Sequence, residues 1–219
     1  MYFKSNGCEV SQGNSKIGTD TIIINMGSAA ACPSAKKGLC KLGLRCYALK
    51  AEKIYPSVAP YRDRQASYWL NTSAKKIAAS LITIINKRNK NSRVINYLRF
   101  NESGDFYSQA DITKLARVAA MISASTGVIV YGYTARKDLD FSKIRSFLVK
   151  GSSNGAGNNG MTVARLRGKI AKQKEETGKA DYHEIIGGTV KRFVVCPGDC
   201  RPCQVCKIKN GVNVVFPIH

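Results

Sequence analysis

Apolar and polar residues follow two different periods along this chain, one typical of strands and one typical of helices. Short β-branched runs predict three buried strands, at residues 21–26, 94–100 and 128–134. Longer segments in which apolar residues recur every three to four positions predict helices over 46–54, 62–70, 74–88 and 110–125. Strands and helices therefore alternate, which indicates an α/β fold with a mainly parallel sheet.

Breakers and caps predict where these elements begin and end. Pro56 and Pro60 are expected to break the chain between the first two helices. Ser108 and Asp111 match a capping box, which predicts the start of the fourth helix. Composition further predicts a short helix running into a strand over 141–149, a flexible glycine-rich loop over 151–160 and a basic helix over roughly 163–177.

The C-terminal part of the chain is predicted to complete the same domain. Residues 191–195 and 211–219 are expected to be strands on either side of a cysteine-rich metal loop. About five or six strands in total fit a partial, open β/α barrel better than a full eightfold barrel. We therefore expect residues 1–190 to form the partial barrel, and 191–219 to add a C-terminal cysteine knot and a closing strand.

The charge of the chain points to a polyanionic partner. Its 219 residues include 35 Lys and Arg against 14 Asp and Glu, a formal net charge of +21. Such an excess predicts attraction to nucleic acid. Aromatic and basic residues alternate over one stretch and predict either a stacking surface or ordinary helix packing; these are Tyr55, Tyr61, Arg62, Arg64, Tyr68 and Trp69.

The N-terminal residues lack the apolar core of a signal peptide, and no apolar run approaches the roughly 20 residues of a membrane helix. We therefore expect a cytoplasmic protein without a membrane partner. In a reducing compartment, clustered cysteines are more often metal ligands than disulfides.

Four cysteines lie within the stretch CPGDCRPCQVC, residues 196–206: Cys196, Cys200, Cys203 and Cys206. We call them the quartet. Four thiolates in one turn-rich loop can saturate a tetrahedral zinc ion or a [4Fe–4S] cluster. The gaps of two and three residues are as tight as those of bacterial ferredoxins, in reverse order, which favours iron–sulfur. Zinc is the alternative.

Three further cysteines, Cys32, Cys40 and Cys46, lie in the loop after the first predicted strand. We call them the triplet. Three thiolates can hold three irons of a cubane cluster and leave the fourth iron open, and the alternative is a set of buried, inert thiols. Cys8 is either a fourth ligand or a lone thiol.

Polar residues gather where the second and third predicted strands end. The carboxyl ends of parallel strands meet at one edge, so these residues are expected to form a site. Arg99, Glu102 and Asp105 are the catalytic candidates, with Asn101, Ser103, Tyr133 and Arg136 as cofactor contacts. The alternative is a capped turn in which Asp105 and Ser108 satisfy backbone amides.

Three stretches, at residues 32–69, 99–106 and 196–219, carry a resemblance. They begin CPSAKKGLC, RFNESGDF and CPGDC, and they resemble the phage "gene product 88" family. That family is in turn similar to radical S-adenosylmethionine (SAM) proteins, whose fold is a partial β/α barrel with a cluster loop after its first strand. The resemblance implies a protein of the infected host's cytoplasm.

The same resemblance implies a [4Fe–4S] cluster on Cys32, Cys40 and Cys46, with SAM bound near Glu102 or Asp105. The radical SAM motif has gaps of three and two residues, whereas the triplet has gaps of seven and five. The expected function is that of an iron–sulfur protein with one or two clusters and redox or radical chemistry. The alternative is a zinc-stabilised, strongly basic nucleic-acid-binding protein.

Overall fold

The computed structural model describes residues 2–40, 42–91, 93–152, 157–163, 181–186 and 189–215. Ten strands in these ranges form one sheet. They are β1 (Tyr2–Ser5), β2 (Cys8–Gln12), β3 (Thr21–Ile24), β4 (Tyr97–Phe100), β5 (Ile129–Thr134), β6 (Leu148–Ser152), β7 (Met161–Val163), β8 (Asp181–Ile186), β9 (Thr189–Val195) and β10 (Asn213–Val215).

Six α-helices are described, together with one 3₁₀ turn at Gly43–Arg45. They are α1 (Pro33–Lys36), α2 (Tyr47–Ile54), α3 (Val58–Asn71), α4 (Ala74–Lys90), α5 (Gln109–Thr126) and α6 (Cys200–Cys203). Among the described helices, none is both long and apolar enough to cross a membrane.

The sheet is mixed and open. Its order is β1-β2-β3-β4-β5-β6-β7-β10-β9-β8, and neighbours from β3 to β9 are parallel. The β1–β2 hairpin adds antiparallel strands at one edge, and β8 pairs antiparallel with β9 at the other. Within the described ranges no pairing joins the two edges, so the fold is α/β with a sheet that does not close into a barrel.

One face of the sheet packs against helices. Leu98, Phe100 and Val130 alternate with polar neighbours, and they pack with the apolar stripes of α4 and α5 in one buried core. Ile77, Leu81, Ile84 and Ile85 form the stripe of α4, and Leu115, Val118 and Ile122 that of α5. Each such side chain contributes about 1.5–3 kcal/mol by leaving water, which fixes this layer firmly.

The opposite face, which we call the polar face, carries the intervening side chains. Tyr97 and Arg99 point from β4, Tyr131 and Tyr133 from β5, and Lys150 from β6, because successive residues of a strand face opposite sides. Tyr131 is paired with Leu148 and Tyr133 with Lys150 across β5 and β6. This face supports the candidate site.

The predicted capping box is confirmed at the start of α5. The backbone N–H of Ser108 donates to the Asp111 carboxylate over 2.9 Å, and the Ser108 side chain accepts from the backbone of Asp111.

Replacing Ser108 with alanine is expected to lower the free energy of unfolding by about 1 kcal/mol, because a helix N–H loses its partner. Urea unfolding of Ser108→Ala beside Ser123→Ala, an exposed serine of the same helix, measures this. Equal stability of the two variants would contradict the capping role.

Several predicted elements differ from the structure. Pro60 does not break the chain: it occupies the first turn of α3, where a missing N–H costs nothing. Residues 141–147 form turns instead of a helix, and the strand after them runs through Ser152. The sheet has more strands than the five or six expected.

The predicted flexible loop over 151–160 is partly wrong. The Asn158 side chain accepts from the Val149 N–H (2.8 Å) and donates to two carbonyls, so residues 157–160 are tied to β6. Residues 153–156 of that loop lie outside the described residues. The basic helix predicted over roughly 163–177 also lies outside them, apart from Val163, which is in β7.

Candidate metal centre

The cysteine quartet lies in the connection between two parallel strands. A chain that leaves β9 and re-enters the sheet as the parallel neighbour β10 must cross one face of the sheet. Here the connection crosses the polar face. It is anchored by hydrogen bonds from Cys200 N–H to the Lys16 carbonyl (2.7 Å) and from Tyr97 Oη to Gln204 Oε1 (2.9 Å).

All four cysteines of the quartet line one small cavity with a volume of about 20 Å³. Tyr131 and Tyr133 form the sheet side of this cavity, and valines of β9, β10 and the crossover complete its wall. The Tyr133 hydroxyl hydrogen-bonds the Cys206 sulfur and lowers the pKa of that thiol. The crossover therefore brings all four cysteines to the wall of one cavity above β5.

Several cations lie around this cavity, together with one carboxylate, Asp199, which lines it. Burial raises the pKa values of the Cys196, Cys200 and Cys206 thiols, and nearby positive charges oppose the rise. The opposing charges are Lys16 at Cys196, Lys207 and Arg99 at Cys200, and Lys150 at Cys206. These charges favour thiolate, which is the form that binds metals.

Two of these cations, Lys150 and Lys207, are almost completely buried, with 1% and 2% of their surface exposed. Lys150 Nζ donates to the carbonyls of Asn159 and Val212, both over 2.6 Å, and Lys207 Nζ donates to the Ile17 carbonyl over 3.1 Å. In the described ranges neither lysine forms a salt bridge, although the Asp199 carboxylate interacts with Lys207 electrostatically. Buried charges are normally paired, so the negative charge that balances them is expected at the quartet.

One buried donor near the quartet, Arg99 Nε, has no hydrogen-bond partner in the described part of the chain. The nearby Tyr131 hydroxyl lies beside the Thr21 hydroxyl, which can accept from it while donating to the Ile17 carbonyl over 3.2 Å. The Arg99 guanidinium stacks over the Tyr133 ring at 5.2 Å and acts on Cys200. An unsatisfied buried donor costs about 1–3 kcal/mol, which a bound acceptor would offset.

The donor set fits a thiophilic metal or cluster by chemical type and by charge. Within the described residues, no group of three or more His, Cys, Asp or Glu side chains stands in position to hold a metal ion. The four thiols share the cavity without forming a ligand cage, so binding would require their side chains to reorient.

The triplet lies at the carboxyl end of β3, in the loop that contains α1 and the 3₁₀ turn. Burial raises the pKa of Cys32 to about 11, backbone amides of Ala35 and Ser34 lower it, and the Asp105 carboxylate raises it further. Cys40 lies close to Cys46 and also to Asp105. Cys40 thus lies near both Cys32 and Cys46, and the buried Asp105 carboxylate raises the pKa of Cys32 and Cys40, whereas cations oppose the rise at three thiols of the quartet.

Asp105 is the centre of a structural network at the strand ends. Its buried carboxylate accepts from Ser34 Oγ (2.6 Å), Thr134 Oγ1 (2.7 Å), Ala135 N–H (2.9 Å) and Phe106 N–H (2.9 Å). Burial raises the pKa of Asp105, and these donors oppose the rise. The residue joins the triplet loop to the ends of β4 and β5, as in the capped-turn alternative.

Three of the residues predicted to contact a cofactor are also held in local hydrogen-bond networks. Asn101 accepts from the Met26 N–H (3.1 Å), and Ser103 donates its N–H to Asn25 Oδ1 (2.8 Å). Arg136 is 1% exposed and pairs with Asp138 over 2.7 Å. Of the seven predicted strand-end residues, only Arg99 and Tyr133 face the quartet.

Glu102 faces a different cavity, of about 210 Å³, at the carboxyl end of β3 and β4. Tyr47, Tyr61 and Arg62 line it as well, and the Arg62 guanidinium lies 3.7 Å from the Glu102 carboxylate. Arg99 Nη2 donates to the Tyr47 hydroxyl over 3.3 Å. Arg99 therefore contacts the wall of this cavity and, on its other side, stacks on Tyr133 and acts electrostatically on Cys200.

Burial bears on two further alternatives, the role of Cys8 and the role of the aromatic and basic residues of α3. Cys8 is fully buried in the helix-side core, where burial raises its pKa to about 12, as expected of a lone thiol. Tyr61, Arg62 and Trp69 are at most 5% exposed and therefore serve packing, whereas Arg64 of the same helix is exposed and pairs with Glu9 over 3.1 Å.

Tyr131 and Lys150 are site residues that sequence reasoning did not identify. The alternation in YGYT, residues 131–134, places Tyr131 and Tyr133 on one face and was the available signal for Tyr131. Lys150 had no signal, because its role depends on the β5–β6 register and on a crossover more than 40 residues away.

Comparison with known proteins gives one match. A family model described as "Gene product 88" matches residues 6–154. This range contains the triplet and β2–β6 and stops before the quartet. No curated protein and no solved structure matches the chain, so the implied similarity to radical SAM proteins has no support from relatives.

Proposed function

The chain belongs to the gene product 88 family, and we propose that it is an iron–sulfur protein whose quartet binds a [4Fe–4S] cluster against the polar face. Cys196, Cys200, Cys203 and Cys206 would be the four ligands. A cluster bound there supplies one-electron redox chemistry. The protein's own residues supply the charge, the hydrogen bonds and the exclusion of water.

The observation that carries this proposal is the charge and donor pattern around the cavity. Four thiols face two buried lysines and the unpartnered donor Arg99 Nε, and the single carboxylate among the residues that line the cavity, Asp199, pairs with Arg201 over 2.6 Å. A [4Fe–4S] cluster with four thiolate ligands is anionic, and its inorganic sulfides are additional hydrogen-bond acceptors. It would therefore offset both the buried charge and the unsatisfied donor.

A structural zinc ion is the second candidate, and the small size of the cavity supports it. A volume of about 20 Å³ is close to that of a single water-sized particle, and one tetrahedral zinc uses four thiolates. Zinc would cross-link the crossover internally and stabilise it without redox chemistry. In that case the basic surface of the protein would carry its function.

The triplet is proposed as a second iron–sulfur site of a different kind. Cys32, Cys40 and Cys46 would hold three irons and leave the fourth free for a substrate or for SAM. The cavity bordered by Tyr47, which follows Cys46 directly, would take a small polar molecule. This proposal includes the partial radical SAM-like barrel that the resemblance implies, with reductive chemistry at the open iron.

Removing the Tyr133 hydroxyl tests whether the quartet is redox-active. Tyr133→Phe deletes the hydrogen bond to Cys206, and donors to cluster sulfurs raise the reduction potential. The expected result is a potential lower by about 20–60 mV, the equivalent of one net hydrogen bond for a one-electron couple. Redox titration followed by electron paramagnetic resonance measures the shift, and Tyr55→Phe, on the exposed surface, is the control. An unchanged potential in Tyr133→Phe would contradict the proposal.

A further inference from the structure

The segment from Ala35 to Ser57, which includes the end of α1, the 3₁₀ turn and α2, carries mostly positive charge. It contains six basic residues, Lys36, Lys37, Lys41, Arg45, Lys50 and Lys53, and a single acidic residue, Glu52. The described basic residues among them are all exposed. Of these, Lys37 pairs with Asp138 over 3.3 Å.

The single carboxylate of this segment is turned inward. The Glu52 side chain is 5% exposed and pairs with Arg62 over 2.8 Å. It also accepts from the Ala29 N–H (2.7 Å) and from Ser103 Oγ (3.3 Å). Glu52 therefore does not offset the positive potential of the exposed lysines and arginine of this segment. A surface of this charge attracts polyanions.

Flat and apolar side chains lie among these cations. Tyr47 is 50% exposed and Tyr55 is 59% exposed, unlike the buried aromatics of α3. Tyr55 follows the last residue of α2. Exposed tyrosines between cations combine base stacking with phosphate contact, the two terms by which proteins hold single strands.

We propose that this surface, formed by the described residues 35–40 and 42–57, binds single-stranded nucleic acid. A membrane surface is the competing partner, because Leu44 and Ile54 are 84% and 55% exposed. Membrane binding needs a continuous apolar helix face. On α2, however, Lys50 lies between Tyr47 and Ile54 on the same face, three residues from one and four from the other. The proposal is independent of the metal at the quartet.

Fluorescence anisotropy with labelled 20-nucleotide oligo(dT) and oligo(U) tests the proposal on the full chain. The double variant Lys50→Gln/Lys53→Gln is expected to raise Kd about tenfold or more and to reduce the salt slope by about 1.4, since each lost phosphate contact removes about 0.7. Tyr55→Leu is expected to raise Kd about tenfold without changing the salt slope, because it removes stacking. Comparison of the two oligonucleotides shows whether the surface binds DNA or RNA more tightly.

The matched control is Lys75→Gln/Lys76→Gln, two exposed lysines in the first turn of α4. It removes the same charge from another helix and is expected to change Kd less than twofold. An equal loss in both double variants would show diffuse attraction and overturn the proposal. So would undetectable oligonucleotide binding, a preference for duplex DNA of equal length, or tighter binding to vesicles of 30% phosphatidylserine.

Discussion

Replacing Cys203 with alanine is expected to remove the metal of the quartet, a loss of about four irons and four sulfides per chain for a [4Fe–4S] cluster. The reason is that all four quartet thiols line one cavity in a single crossover and no other described cysteine lines it. The free energy of unfolding should fall as well, because metal binding energy contributes directly to folding energy. Iron and sulfide assays on anaerobically purified protein measure the loss.

Cys8→Ala is the matched control for this substitution. Cys8 is buried in the helix-side core and lines neither described cavity. Its removal is expected to lower stability slightly, through lost packing, while leaving iron and sulfide unchanged. If Cys203→Ala retained its full iron and sulfide, the quartet would not be the cluster site, whatever the state of the triplet.

Asp105→Ala is expected to lower the free energy of unfolding by about 3–5 kcal/mol, the largest effect on stability at the strand ends. The substitution leaves four buried donors without an acceptor, from Ser34, Phe106, Thr134 and Ala135. It also detaches the triplet loop from β4 and β5. Urea unfolding followed by circular dichroism measures the change.

Two variants separate this role from a general effect of losing an aspartate. Asp63→Ala, on the exposed side of α3, is expected to change stability by less than about 0.5 kcal/mol. Ser34→Ala removes one of the four donors and should cost about 1 kcal/mol. A stable Asp105→Ala protein that has lost only a catalytic activity would instead support the catalytic role predicted for this carboxylate.

The central layer of the fold follows from local sequence signals. β3, β4 and β5 are β-branched or aromatic runs, and α4 and α5 have continuous apolar stripes, so period alone predicts them. The β1–β2 hairpin was missed although its signal is present: Asn6 and Gly7 adopt left-handed conformations in a two-residue turn. β7 and β10 are three residues long, too short for periodicity to reveal, and depend on neighbouring strands.

The candidate site was predictable in part. Spacing identified the quartet and the triplet as cysteine groups, because metal chemistry limits ligand spacing. It could not show that the crossover places the quartet over β5, or that Arg99 and Tyr133 would face it while Asp105 and Arg136 are held in structural contacts. Those outcomes depend on strand register and on the path of the β9–β10 connection, which are set by long-range packing.

The most direct test of the iron–sulfur proposal is anaerobic purification of the unsubstituted chain, with a visible spectrum and with iron, sulfide and zinc measured per chain. We expect a brown protein with about four irons and four sulfides, or about eight of each if the triplet also binds a cluster. A colourless protein with one zinc per chain and no sulfide would contradict the proposal, and would assign the quartet a structural role.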